Sequence, residues 1–234
     1  MENVSFRLDG KDILRDLTLT ARESRVGIVG RNGSGKTTFA RVLAGLVKPT
    51  AGSVKVLDVD VATDRKAALK TVGILFQNPD HQIIFPTVEE EMAFGLLQQG
   101  LSKQVTADRV AEILTAFGKT HWAAAAIHGL SQGQKQLVCL MSIVAMAPKV
   151  IVLDEPFSGL DIPTRIQLSR YLDNLSATVV QISHDPENLQ NYERIIWLEN
   201  GAMRMDGEAQ TTLKAFDNHM KELGGEDDIS DLTG

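Results

Sequence analysis

Three features are scarce in this sequence: cysteine, long apolar runs and positive charge. Cys139 is the single cysteine among 234 residues, so the chain cannot form an internal disulfide, as expected for a reducing compartment. The most apolar stretch, residues 137–147, is far shorter than the roughly 20 residues that a membrane-spanning helix needs. Asp and Glu outnumber Lys and Arg by 30 to 24, and the net charge of −6 argues against nucleic acid as a partner. These absences favour a soluble globular protein with no nucleic-acid partner.

Short strand-like runs alternate with helical patterns along the chain, which is typical of an α/β protein. Between Thr87 and Ala147, by contrast, the pattern is almost wholly helical. We therefore predict an α/β core interrupted by a helical insertion. Strands are predicted at 25–29, 71–76, 150–153, 178–183, 194–199 and 202–206, with a helix at 36–46. Asn200-Gly201 separates the last two strands and is a strong hairpin signal.

Residues 30–37, with the sequence GRNGSGKT, match the phosphate-binding loop pattern GxxxxGK[ST] and lie between a predicted strand and a predicted helix. Glycines let backbone amides close around phosphate oxygens, and the following helix adds its N-terminal dipole. Lys36 would place a positive charge on the outer phosphates, and the Thr37 hydroxyl is a suitable ligand for Mg²⁺. The alternative, a glycine-rich turn that matches by accident, is disfavoured by the strand–helix context. The nucleotide contacts are predicted at Gly30, Arg31, Asn32, Gly33, Ser34, Gly35, Lys36, Thr37 and Thr38.

Two carboxylates, Asp154 and Glu155, end the apolar strand that begins at Val150. Pro156 stops this strand, so both acids are expected at its carboxyl end, where α/β sheets bind ligands. Asp154 is a candidate to hold Mg²⁺ through water, and Glu155 to orient the attacking water. The alternative is a buried strand whose acidic end is merely solvated, and the presence of the phosphate loop makes that alternative weak.

Ser131 opens a predicted helix, and Gln134 follows it three residues later, which is the spacing of a capping box. The same geometry would suit an anion, because a helix N-terminus with a hydroxyl and an unhindered amide at Gly133 binds negative charge. Both interpretations stay open on this observation alone.

Six motifs occur in the order typical of ATP-binding-cassette (ABC) ATPases, and the chain resembles that family. The phosphate loop is followed by Gln77, which is similar to the Q-loop glutamine, and by residues 130–134, LSQGQ, which resemble the signature LSGGQ with Gln132 in place of a glycine. The strand ending in Asp154-Glu155 comes next, then residues 158–161, which resemble the D-loop. His184 is similar to the switch histidine.

The resemblance implies a P-loop NTPase with a RecA-like core, a small antiparallel β-subdomain and an inserted α-helical subdomain. The core and β-subdomain would cover about 1–86 and 148–207. The helical subdomain with the signature would cover about 87–147, and a C-terminal helix with an acidic tail would cover 208–234.

The same resemblance implies an ATPase that uses ATP and Mg²⁺ and works as a homodimer or paired with another ABC ATPase. Its catalytic residues would be Glu155, His184, Lys36 and Gln77, and its Mg²⁺ ligands Thr37, Gln77 and Asp154. Each ATP would also contact Ser131, Gly133 and Gln134 of the opposite subunit. In this family an aromatic residue stacks on adenine, and the matching position here is Leu8, with Phe6 on the same strand face as an alternative.

Residues 76–82 and 87–95 resemble the Q-loop and following helix of energy-coupling-factor (ECF) ATPases, and residues 130–164 are most similar to the biotin-type members. This implies a peripheral protein on the cytoplasmic face of the cell membrane. Its partners would be a membrane-embedded coupling protein, docking on acids at Glu89, Glu90 and Glu91, and a substrate-binding membrane protein. A cobalt- or nickel-type ECF ATPase, a soluble ABC ATPase of iron–sulfur assembly and a P-loop nucleotide kinase are the alternatives. The competing interpretation is that Glu89, Glu90 and Glu91 are solvent-exposed acids that the helix dipole favours at a helix start, with no docking role.

Overall fold

A small antiparallel β-subdomain opens the chain in a computed structural model that describes residues 1–226. Strands β1 (Glu2–Leu8) and β2 (Lys11–Leu17) form a hairpin, and β4 (Ala51–Ser53) pairs with the other edge of β1. A two-stranded hairpin of β5 (Lys55–Val56) and β6 (Val59–Asp60) follows. The predicted antiparallel β-subdomain is thus present.

The central sheet has six strands in the order β11-β10-β3-β9-β8-β7. All neighbours are parallel except the hairpin of the last two strands, whose turn is Asn200-Gly201 as predicted. These strands are β3 (Arg25–Val29), β7 (Val72–Leu75), β8 (Val150–Asp154), β9 (Thr178–Ile182), β10 (Arg194–Glu199) and β11 (Ala202–Glu208). Because the parallel strands run in one direction, their carboxyl ends meet at one edge of the sheet.

Seven α-helices are described within residues 1–226. They are α1 (Lys36–Leu43), α2 (Arg65–Thr71), α3 (Val88–Gln98), α4 (Lys103–Ala116), α5 (Gln132–Ala145), α6 (Ile162–Asp173) and α7 (Ala209–Glu226). None of these helices combines the length and apolar character needed to cross a lipid bilayer. Helix α1 ends three residues earlier than predicted, because the chain turns into a left-handed conformation at Gly45, with φ 70°.

The helical insertion contains α3, α4 and α5, which pack around an apolar cluster that they share with α6 and one face of the central sheet. The insertion is less regular than predicted, because short 3₁₀ turns at Thr120–Trp122 and Ile127–Gly129 separate α4 from α5. Cys139 lies fully buried in this cluster, and burial raises the pKa of its thiol to about 12, so it is an unreactive core side chain. The C-terminal helix expected within 208–234 is α7, which ends at Glu226, and residues 227–234 lie outside the described part of the chain.

The Asn200-Gly201 turn does more than join two strands, because it lies between the phosphate loop and β2. Both residues have positive φ, 48° and 78°. The Gly201 N–H donates to the Ser34 carbonyl oxygen at 3.1 Å, and the Gly201 carbonyl oxygen accepts from the Arg15 N–H at 2.8 Å. A β-carbon at Gly201 would lie only 2.4 Å from the Ile13 carbonyl oxygen. The turn therefore fixes the distance between the phosphate loop and the β-subdomain.

Gly201→Ala is expected to lower the free energy of unfolding by more than Gly10→Ala, although both glycines have φ 78°. At Gly10 nothing lies within 4 Å of an added β-carbon. Gly10→Ala therefore destabilises the protein only through the left-handed backbone conformation, by about 1–2 kcal/mol. Gly201→Ala adds a clash with backbone, which costs roughly 1–3 kcal/mol more. Urea denaturation measures the free energy of unfolding of the two variants. An equal decrease in both would contradict the conclusion that the turn fixes the distance between the phosphate loop and the β-subdomain.

Candidate active site

The phosphate loop has left-handed glycine conformations, which are typical of a backbone that curves around an anion. Gly33 and Gly35 have φ 81° and 97°, and the space where a β-carbon of Gly33 would lie is open. Gly35 is the N-cap of α1, and no side chain accepts a hydrogen bond at this helix start. The first N–H groups of α1 therefore have no capping side chain, as expected where a phosphate takes that place.

The Lys36 ammonium lies inside this loop and is buried. Its Nζ donates to the carbonyl oxygens of Gly30 at 2.7 Å and Arg31 at 2.9 Å. Burial lowers the pKa of Lys36, and the nearby carboxylates of Glu155 and Asp154 act in the opposite direction. A desolvated cation enclosed by carbonyl oxygens is ready to bind the outer phosphates of a nucleotide.

Thr37 and Asp154 bring a hydroxyl and a carboxylate together from two separate elements. The Thr37 Oγ1 donates to the Asp154 Oδ1 at 3.4 Å, at the start of α1 and the end of β8. Asp154 is fully buried, and burial raises the pKa of its carboxyl group. Nearby, the buried Ser34 Oγ has no hydrogen-bond partner within residues 1–226. A hydroxyl and a carboxylate are hard oxygen ligands, and these two residues would suit a Mg²⁺ ion.

Glu155 is held in a strained backbone conformation directly after β8. Its φ is 49°, which is uncommon for a residue with a side chain and occurs often at active sites. Its Oε1 accepts a hydrogen bond from the His184 N–H at 2.7 Å and lies 2.8 Å from the His184 Nδ1. The two predicted catalytic groups therefore form one unit, in which His184 fixes the carboxylate.

One cleft of about 350 Å³ collects these groups together with Gln77. The Gln77 Nε2 donates to the Ser158 Oγ at 3.1 Å, so the Q-loop and the D-loop meet at its rim. Residues from five separate segments of the chain thus line one cleft. The lining residues are Ile13, Asn32, Gly33, Gly35, Lys36, Thr37, Thr38, Gln77, Glu155 and His184.

The signature residues lie elsewhere on the same chain. Ser131, Gly133 and Gln134 line a separate depression of about 220 Å³ and none of them lines the Lys36 cleft. The capping box is present, because the Ser131 N–H donates to the Gln134 Oε1 at 2.8 Å and the Gln134 N–H donates to the Ser131 Oγ at 3.3 Å. Gly133 also packs on α6, since a β-carbon there would lie 2.3 Å from the Thr164 Cγ2.

The two candidates for adenine stacking, Leu8 and Phe6, do not line the cleft. Leu8 is 55% exposed at the end of β1, and Phe6 is half-buried against the apolar core of the β-subdomain. Ile13, on β2, lines the cleft instead, and sequence reasoning missed it. Its only signal in the sequence is a place on the second strand of the β1–β2 hairpin, which gives no indication of contact with the phosphate loop.

The acids at the start of α3 divide into two kinds. Glu89 and Glu90 are exposed. Glu91 is only 7% exposed, and its Oε2 accepts from the backbone N–H groups of Ile84 and Phe85 at 2.8 and 2.9 Å. The expectation that Glu91 belongs to an exposed docking face is therefore wrong, because this carboxylate holds the preceding loop.

The sequence profile of the ABC transporter family matches residues 14–158, which is more than half of the chain. The chain belongs to the ABC transporter family. It is an ABC ATPase, and the predicted P-loop NTPase fold and the hydrolysis of ATP are confirmed. Membership excludes the nucleotide-kinase alternative.

Curated relatives of this ABC ATPase include proteins of biotin and energy-coupling-factor transport. It is 48% identical to the biotin transport ATP-binding protein BioM of Rhodobacter capsulatus, over 94% of each chain. It is 40% identical to the energy-coupling factor transporter ATP-binding protein EcfA of Methanothermobacter thermautotrophicus, over 89% of this chain and 68% of that one. The resemblance to ECF-type ATPases is thus confirmed.

Solved structures with the same fold include cbiO1 from Clostridium perfringens, part of the ABC transporter complex cbiONQ. The TM-score is 0.77 at 26% identity, with 94% of this chain and 92% of that one covered. A second is the dimeric post-hydrolysis state of the ATP-binding cassette MJ0796 bound to ADP and Pi. Its TM-score is 0.78 at 26% identity, covering 89% of this chain and 97% of that one.

Glu155→Gln is expected to lower turnover by about 100-fold or more while ATP binding is kept, because Gln keeps the size and loses the charge that orients water. Lys36→Ala is expected to weaken ATP binding itself. Steady-state ATPase rates and equilibrium nucleotide binding separate the two effects. Glu208→Gln, at the exposed end of β11, makes the same change away from the cleft and serves as the control. Near-normal turnover of Glu155→Gln would remove Glu155 from catalysis.

Proposed function

We propose that this ABC ATPase energises an ECF-type importer of biotin from the cytoplasmic face of the membrane. The observation that carries the proposal is the division of the site: one chain presents the Lys36 cleft and, apart from it, the Ser131 depression. A chain built in this way hydrolyses ATP when a second ATPase supplies the missing half. The dimeric relative bound to ADP and Pi supports this arrangement.

In the proposed reaction, water attacks the γ-phosphoryl group of ATP between two subunits. Lys36 and the first N–H groups of α1 bind the phosphates, and Glu155, held by His184, orients the water. Thr37 and Asp154, with Gln77 at the rim, would hold Mg²⁺, which neutralises phosphate charge when bound. Ser131, Gly133 and Gln134 of the opposite subunit would close the site. The partner is a second copy of this chain or a paired ABC ATPase.

The composite site is tested by mixing two inactive variants. Ser131→Asp keeps a residue that caps helices well, so α5 should stay intact, but its carboxylate would repel the partner's γ-phosphate. Mixed with Lys36→Ala, it should restore ATPase activity that neither variant has alone, because each mixed dimer contains one intact site.

Ser131→Asn is the matched control, since Asn caps equally well without the charge. Gly133 is unsuitable for this test, because any side chain there strikes Thr164 within the same chain. Failure of the mixture to regain activity, with both variants folded, would rule out the composite site.

The biotin assignment rests on the relatives, of which two are named biotin transport ATP-binding proteins, at 48% and 38% identity. An ECF importer joins paired ATPases to a membrane-embedded coupling protein and a substrate-binding membrane protein. Exposed Glu89 and Glu90 offer negative charge at the start of α3, and Glu91 fixes the loop beside them. We propose that basic side chains of the coupling protein pair with Glu89 and Glu90.

The double variant Glu89→Gln, Glu90→Gln should bind ATP normally and recover less coupling protein from solubilised membranes, because losing one partner of a charge pair at a desolvated interface costs about 2–5 kcal/mol. Glu187→Gln with Glu208→Gln removes the same charge from exposed positions elsewhere and should leave recovery unchanged. Uptake of labelled biotin, with cobalt and nickel ions in parallel, measures transport. Recovery with soluble proteins in place of membrane proteins would favour iron–sulfur assembly.

A further inference from the structure

The signature loop of this chain carries a side chain where the family usually has none. Gln132 is the first residue of α5 and is exposed. Its carboxamide makes no hydrogen bond among the described residues, and it lies against the D-loop. A β-carbon at Gly159 would be 3.1 Å from the Gln132 Nε2 and 3.4 Å from its Oε1. The amide therefore occupies the space into which a side chain at Gly159 would point.

Gly159 occupies a position in the D-loop that only a small residue fills easily. Its φ is 71°, in the left-handed region. The D-loop is tied to Glu155, because the Ser158 N–H donates to the Glu155 carbonyl oxygen at 3.1 Å. On its other side, the Ser158 Oγ accepts from the Gln77 Nε2 at 3.1 Å. Movement of this loop would therefore reach two residues of the Lys36 cleft.

The start of α5 meets this region at two points. The Gln132 amide lies beside Gly159, and Gly133 lies against Thr164 in the first turn of α6. The Thr164 N–H in turn donates to the Asp161 Oδ1 at 3.0 Å. The start of α5 is thus next to the D-loop, which hydrogen bonds tie to Gln77 and Glu155. Gly133 sets how closely α5 approaches α6, and Gln132 is the side chain that reaches the D-loop itself.

We propose that Gln132 is a positioning residue for ATP hydrolysis: its side chain holds the D-loop, so that binding of the partner's ATP at the signature is transmitted to Gln77 and Glu155 of the same chain. The inference rests on the proposed composite site. In this role the Gln132 side chain positions the D-loop by filling the space beside it, and the role does not require that Gln132 binds the nucleotide.

The test is a double-mutant cycle of Gln132→Ala and Gly159→Ala in the full-length chain. Gln132→Ala should lower kcat by about three- to tenfold, which is within the range that coupled neighbouring residues give, with the KM for ATP and the thermal midpoint unchanged. In the Gln132→Ala background, Gly159→Ala should cost less activity than in the wild type, because the amide that the added β-carbon would press on is absent. Gln132→Met keeps the length of the side chain and should recover most of the kcat lost in Gln132→Ala.

Gly118→Ala is the control for backbone strain, since Gly118 has φ 65° and nothing within 4 Å of an added β-carbon. Wild-type kcat in Gln132→Ala, or losses that simply multiply in the double variant, would overturn the inference. A change in KM alone would assign Gln132 to nucleotide binding and would overturn it equally. Failure of wild-type activity to depend on protein concentration would instead contradict the composite site, so the two failures are distinguishable.

Discussion

The pairing of β8 and β3 with β9 is the constraint on which the active site depends. Ladder hydrogen bonds continue just past the strand ends, where the Glu155 N–H donates to the Ile182 carbonyl oxygen at 3.1 Å and the Ser183 N–H donates to that of Ile28 at 3.0 Å. These bonds fix where the chain leaves each strand. Glu155 and His184 therefore meet, and the phosphate loop begins beside them. A shift of one residue in this register would turn every side chain to the opposite face of the sheet.

Much of the site was predictable because its functional residues lie in short segments of the sequence. The phosphate loop needs glycines and a lysine at fixed spacing, and an apolar strand that ends in two acids is recognisable from its sequence alone. The capping box at Ser131 and Gln134 is equally local, since its partners are three residues apart. The hairpin at Asn200-Gly201 was predictable for the same reason.

The remainder depends on contacts between distant segments, which a local pattern does not contain. Glu91 looks like its exposed neighbours in sequence, yet the loop at Ile84 and Phe85 folds onto it and buries the carboxylate. Gly133 looks like a glycine reserved for phosphate, yet Thr164 of α6 already requires it. Ile13 enters the cleft because β2 is held against the Gly201 turn. In each case a tertiary contact decides the role of the residue.

At Glu155, stability and activity favour different residues, because the backbone conformation suits glycine whereas the chemistry needs a carboxylate. A residue with a side chain at φ 49° carries a conformational cost that glycine would relieve, by about 1 kcal/mol or more. Glycine there would also remove the carboxylate that His184 holds. A laboratory selection for heat resistance alone would thus favour loss of this acid, whereas selection for growth on scarce substrate would retain it. The same strand end is thus a strained point of the fold and a necessary one for the chemistry.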